Sequence, residues 1–154
     1  MPVYFIDSSA LVKRYINETG SAWVVGLFDV NLNNEIFIAA ITGVEMIAAI
    51  TRRSRGGSIS AADAAETCKQ LRSDLQKDYQ AIEIVEPIIS SAMTLAETYG
   101  LRGYDAIQLA AGSTVNNFCV ANGLPPAVFV SADSELNTAA RNEGLVVENP
   151  NSYP

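Results

Sequence analysis

The 154-residue sequence has no histidine, only two cysteines and no 18-residue uncharged apolar stretch. Without histidine, Ser-His-Asp and Cys-His nucleophilic mechanisms, histidine general bases and imidazole-ligated zinc are excluded. Cys68 and Cys119 lie far apart in helix-like stretches, which suits reduced thiols better than a disulfide framework. The N-terminal MPVYFIDSS lacks a basic segment followed by an apolar run, so a cytoplasmic location with no membrane partner is expected. Neither GxGxxG nor GxxxxGK[ST] occurs, which removes the common nucleotide-binding fingerprints. Basic residues are few: 10 Lys+Arg against 17 Asp+Glu give a net charge of −7, which by itself opposes a polyanionic ligand at long range. The chemistry left to the chain is that of carboxylates.

An apolar share of 49% is ordinary for a globular protein, and the length suits a single domain over residues 1–154. Short β-like runs are predicted at Val3 to Ile6, Ile36 to Ala40, Ala81 to Val85, Ala127 to Val130 and Leu145 to Val147. Helical periodicity fills the intervals: Ser9 to Tyr15, Ser21 to Val30, Thr42 to Ser54, Ala61 to Tyr79, Ile88 to Tyr99, Tyr104 to Ala121 and Ser134 to Asn142. Uninterrupted apolar strands such as VYFI and AVFV are those buried on both faces. Their alternation with helices predicts an α/β fold, a three-layer α/β/α sandwich on a mainly parallel central sheet. The charges of the long helix from Ala61, Asp74 included, read as a solvated face, and residues 149–154 as a frayed terminus.

Four acidic residues stand out. Asp7 follows the first strand and Asp133 the fourth, so both fall at the edge where open parallel sheets place their ligands. Asp at such positions is also a common helix N-cap. Glu45 is the only charged residue between Glu35 and Arg52, in the apolar helix TGVEMIAAI. Thr42-x-x-Glu45 fits a capping box, yet the helical stripe turns Glu45 inward, where an uncompensated carboxylate is costly. Asp105 opens a helix after the turn Gly100-Leu101-Arg102-Gly103, where it also suits the helix dipole. One site at the sheet edge can collect all four, and hard oxygen ligands without His or Cys suit Mg²⁺ or Mn²⁺, one or two ions.

The segments FIDSSALVK, TGVEMIAAITR, LRGYDAIQLAA and FVSADSELNTAA, in this order and spacing, resemble those of PIN domains, in particular the VapC-type toxins of bacterial toxin–antitoxin pairs. The resemblance covers essentially the whole chain. It implies a metal-dependent endoribonuclease in which Asp7, Glu45, Asp105 and Asp133 form the catalytic and metal-binding set, supported by Ser8 and Ser131. It also implies an RNA substrate, a homodimer and, for a toxin, an antitoxin whose segment covers the active-site groove. Lys13, Arg14, Arg52, Arg53, Arg55 and Arg102 flank the acidic motifs and are candidates for the RNA backbone, although helix-end charges would look the same. Tyr104 reads as a buried aromatic.

Competing chemistries lack their residues. A haloacid-dehalogenase-like phosphotransferase needs a second Asp where Ser9 stands, and a receiver-type phosphoacceptor needs an early acidic pair and a late lysine, whereas no lysine follows Lys77. The alternative from another class is a non-catalytic interaction module that uses the acidic edge to hold a basic partner segment.

Overall fold

The computed structural model describes residues 2–154. Five strands, β1 (Val3–Ile6), β2 (Glu35–Ala39), β3 (Gln80–Ile82), β4 (Val128–Val130) and β5 (Val146–Glu148), form one sheet. Its order is β3-β2-β1-β4-β5, and every pairing is parallel. Seven helices supply the crossovers and flank the sheet: α1 (Ser8–Tyr15), α2 (Ser21–Gly26), α3 (Thr42–Arg55), α4 (Ala61–Leu75), α5 (Glu86–Tyr99), α6 (Gly103–Ala121) and α7 (Ser134–Asn142). The layered α/β fold with a parallel sheet expected from the alternating pattern is the fold observed.

Alternate residues of the central strands point to different layers, and each layer buries its own apolar cluster. On one face Phe5 and Phe129 pack with Leu109 of α6 and Leu136 of α7. On the other, Ile6 and Ile38 pack with Leu11, Met46, Ile50 and Leu71 from α1, α3 and α4. The rings of Phe5 and Phe129 stack with centroids 5.6 Å apart. Helix α6 reaches them because residue 112 is glycine: a Cβ there would lie 2.6 Å from the Phe129 ring. Among the described residues no helix is long and apolar enough to cross a membrane.

Three expectations are corrected. The helix from Ser21 ends at Gly26, and the chain enters a 3-10 turn at Val30–Leu32, where Asp29 accepts the Asn31 amide at 2.9 Å. The long helix stops at Leu75, and its Asp74 is buried, accepting from the Tyr15 hydroxyl at 2.9 Å and the Gln70 amide at 2.8 Å. The C-terminal segment is not frayed: Pro150–Ser152 forms a 3-10 turn, and Tyr153 stacks on Trp23 of α2 with centroids 4.8 Å apart.

Candidate active site

The chain steps outward from β1 to β2 and β3, then returns to lay β4 and β5 on the other side of β1. The crevice at the C-terminal ends of β1 and β4 is therefore the topological switch point, where open α/β sheets place ligands. Asp7 sits there, 2% exposed. Its extended backbone makes it the N-cap of α1, with Oδ1 accepting the Ala10 amide at 3.0 Å and the Ser9 hydroxyl at 2.7 Å. Oδ2 accepts the Ser131 hydroxyl at 2.8 Å. Burial pushes its pKa up to about 7; the three hydrogen bonds oppose that rise, and the Asp105 charge adds to it.

Ser131 follows β4 directly. Its hydroxyl also accepts the Asp133 amide at 3.1 Å, and its carbonyl is held by the Asn137 side chain at 2.8 Å. Asp133 caps α7 by accepting the Leu136 amide at 3.0 Å. Both Asp7 and Asp133 are thus helix caps as well as members of the acidic edge.

Glu45 is not part of a capping box. Thr42 is already inside α3, whose N-cap is Ile41 with no side-chain bond. Instead the Glu45 carboxylate is held from two sides: Gln108 Nε2 donates to Oε1 at 2.7 Å and Ser8 Oγ to Oε2 at 3.2 Å. The same Gln108 nitrogen donates to Thr42 Oγ1 at 2.9 Å. Burial raises the Glu45 pKa, these two donors oppose the rise, and the Asp105 charge adds to it.

Asp105 lies in the first turn of α6 and receives no capping bond. Burial is the main cause of its raised pKa; Asp133 and Glu135 add to the effect and Arg102 opposes it. Asp105 is thus the electrostatic hub: Asp7 and Glu45 feel its charge, and it feels that of Asp133. The donor set is four carboxylates and nearby hydroxyls, all hard oxygens, with mutual repulsion that a divalent cation would relieve. Oxygens of Asp7, Glu45 and Asp133 face internal donors, however, and among the described residues no three acidic or cysteine side chains form a ready-made cage for one ion. The chemistry of the set fits Mg²⁺ or Mn²⁺.

An open groove of about 850 Å³ runs from Ser8 and Glu45 along α1 and α3. Lys13, Arg52 and Arg53 line it. Arg55 and Arg102 are exposed outside its walls. Arg14 is turned away from it, donating to Asp78 at 2.7 Å and the Tyr79 hydroxyl at 2.6 Å, with its guanidinium 3.9 Å over the Phe28 ring. Tyr104 corrects its expectation: in the first turn of α6, it is 64% exposed and lines the groove. Sequence reasoning missed Ser9 and Gln108. The signal for Gln108 was available, since it is a polar residue one helical turn after Asp105 in an otherwise apolar stretch. For Ser9, whose oxygen also accepts the Ala132 amide at 3.0 Å, no local pattern marks the cross-chain contact.

No protein-family model matches the chain. Among curated proteins it is 27% identical to ribonuclease VapC45 of Mycobacterium tuberculosis over 147 residues, 96% of this chain and 95% of the relative. Ribonuclease VapC49 of the same species matches at the same identity and coverage. Among solved structures, PAE2754 from Pyrobaculum aerophilum aligns with a TM-score of 0.60 and 22% identity, covering 95% of this chain and 89% of that one. FitAB bound to the IR36 DNA fragment gives a TM-score of 0.65 at 15% identity, covering 96% and 94%. VapBC2 from Rickettsia felis, bound to a DNA fragment from its promoter, gives 0.56 at 16%, covering 96% and 98%. Along almost its full length the chain is thus similar to curated VapC ribonucleases, and its five-stranded parallel sheet with flanking helices is the PIN-like fold of those solved structures.

Proposed function

We propose that the chain is a Mg²⁺- or Mn²⁺-dependent endoribonuclease and the toxin of a toxin–antitoxin pair, working as a homodimer. The observation that carries the reading is Asp7: a nearly inaccessible carboxylate at the switch point, its pKa pushed up to about 7, with the charge of Asp105 adding to the strain. Beyond its capping bonds, the burial of this carboxylate costs stability that a bound cation would offset. Asp7 and Asp105 would hold the ion, with Glu45 and Asp133 completing the acidic set. A bound divalent ion supplies charge neutralisation at a phosphate and a water of lowered pKa. The chain's own contribution is orientation: Ser9 and Ser131 fix the Asp7 carboxylate, and Gln108 and Ser8 fix Glu45. The relatives named as ribonucleases support the activity, and the FitAB and VapBC2 complexes support a partner protein.

The test is cleavage of total RNA by the purified protein with and without Mn²⁺, alongside Asp7→Asn and Asp105→Asn. Metal-dependent cleavage lost in both variants is the expected result. Absence of metal-dependent cleavage in the intact chain, or equal cleavage in the variants, would leave the non-catalytic interaction module as the better reading.

A further inference from the structure

The groove differs in charge from the rest of the molecule. Its walls carry three cationic side chains, Lys13, Arg52 and Arg53, against the carboxylates of Glu18 and Glu45, in a chain whose net charge is −7. Lys13 is 6% exposed, an unusual degree of burial for an ammonium group. Among the described residues it donates to one acceptor, Glu18 Oε1 at 3.0 Å. The other Glu18 oxygen takes Arg53 Nη2 at 3.2 Å. Arg53 Nη1 is buried and has no hydrogen-bond partner among the described residues.

The cluster therefore holds two positive charges and one negative, and more N–H donors than acceptors. An ammonium has three donors and a guanidinium five, whereas the carboxylate between them accepts one bond on each oxygen. The network leaves Arg53 Nη1 buried and unpaired among the described residues, and a buried unpaired donor is costly. The missing complement is a compact anion carrying several oxygens. A phosphodiester group has that chemistry, and arginine and lysine are its usual protein partners.

We infer that Lys13 and Arg53, positioned by Glu18, form a backbone-phosphate subsite for the RNA strand, in the groove beside the acidic edge. This rests on the ribonuclease reading and adds to it which cations touch the strand. Arg14, next to Lys13 in sequence, has no part in it. Glu18 is a positioning residue: its two carboxylate oxygens take the Lys13 ammonium and the Arg53 guanidinium and hold both in the groove wall.

The experiment measures binding of a fluorescent single-stranded oligoribonucleotide by anisotropy in Mg²⁺. An Asp105→Asn background keeps the strand intact, and the salt concentration is varied. Lys13→Met and Arg53→Gln are each expected to weaken binding about tenfold. Each should also lower the slope of log affinity against log salt by about 0.7, the value for one lost phosphate contact on a single strand. Arg141→Gln, on α7 away from the groove, serves as the control and should change neither beyond its general charge effect. Glu18→Gln should weaken binding with the slope nearly unchanged, since both cations remain. Melting temperatures of all variants separate loss of binding from loss of folding.

The inference is overturned if folded Lys13→Met and Arg53→Gln match Arg141→Gln in affinity and slope. It is also overturned if a poly-glutamate peptide competes as well as RNA of equal charge, which would make the cluster a site for an acidic protein segment. Mn²⁺-dependent cleavage by the unmodified chain is scored separately. Its failure would defeat the nuclease reading while leaving the binding result to decide the subsite.

Discussion

At the scale of single residues, Asp7 is the group most sensitive to conditions. Its pKa rises from 3.8 to about 7 on folding. Between these values the folded chain keeps a proton that the unfolded chain has released, so stability falls as pH rises through this window. The full loss, present above about pH 7 in the absence of metal, has a ceiling of about 4 kcal/mol at 1.36 kcal/mol per unit. Asp7→Asn keeps a good N-cap while removing the titration. Thermal melts without divalent ions should therefore show the variant more stable than the parent at pH 8 and the difference shrinking toward pH 4. A parent melting temperature flat across that range would refute the account. Gln108 gives a second prediction. Replacing it with Leu removes the donor to Glu45 and Thr42 and leaves Glu45 with the Ser8 hydroxyl alone, so cleavage should fall and the Mn²⁺ concentration for half-maximal activity should rise. Gln108→Glu should do the same more severely, by adding a like charge.

Among the elements, α6 is the one whose position the site depends on, because it carries both Asp105 and Gln108. Gly112 sets its approach to the sheet. Gly112→Ala should destabilise the fold by roughly 1–3 kcal/mol: the Cβ meets the Phe129 ring, and this overpacking outweighs the helix-propensity gain of about 1 kcal/mol. Gly26→Ala at the end of α2, where a Cβ meets nothing within 4 Å, should be neutral or stabilising. Urea unfolding of the pair distinguishes packing from propensity. The strands and helices were legible because each apolar run buried on both faces has no other stable home, so VYFI and VFV declare themselves. The edges were less so. The third strand is displaced toward Gln80 because a tight turn from Glu83 to Val85 ends it, and its weakly buried residues carry little pattern. The candidate carboxylates were legible from their places after strands and in apolar helices. Which way a basic residue faces was not: Lys13 and Arg14 are adjacent in sequence, yet about 100° of helical rotation sends one to the groove and the other to Tyr79 and Phe28.

For the molecule as a whole, four of the seven excess negative charges belong formally to Asp7, Glu45, Asp105 and Asp133, the proposed acidic set. On the proposed ribonuclease reading, a strand of RNA entering the groove would pass close to that set. Binding should consequently be weaker by tenfold or more in EDTA than in Mg²⁺, and the difference should shrink in a chain carrying Asp7→Asn and Asp105→Asn. Mn²⁺ should also raise the melting temperature of the parent by mass action, about 2.7 kcal/mol at a hundredfold excess over its dissociation constant, and should leave the doubly substituted chain unmoved. The seam between Trp23 and Tyr153 bears on how such measurements are read. Trp23 is the only tryptophan, and its ring lies 4.8 Å from that of Tyr153. Tryptophan emission, excited beyond the tyrosine absorption band, therefore has one origin in this chain, the joint where the last residues lie against α2. An emission change on adding metal or RNA would report motion at that joint, and a purification tag placed after Pro154 would sit beside the only reporter.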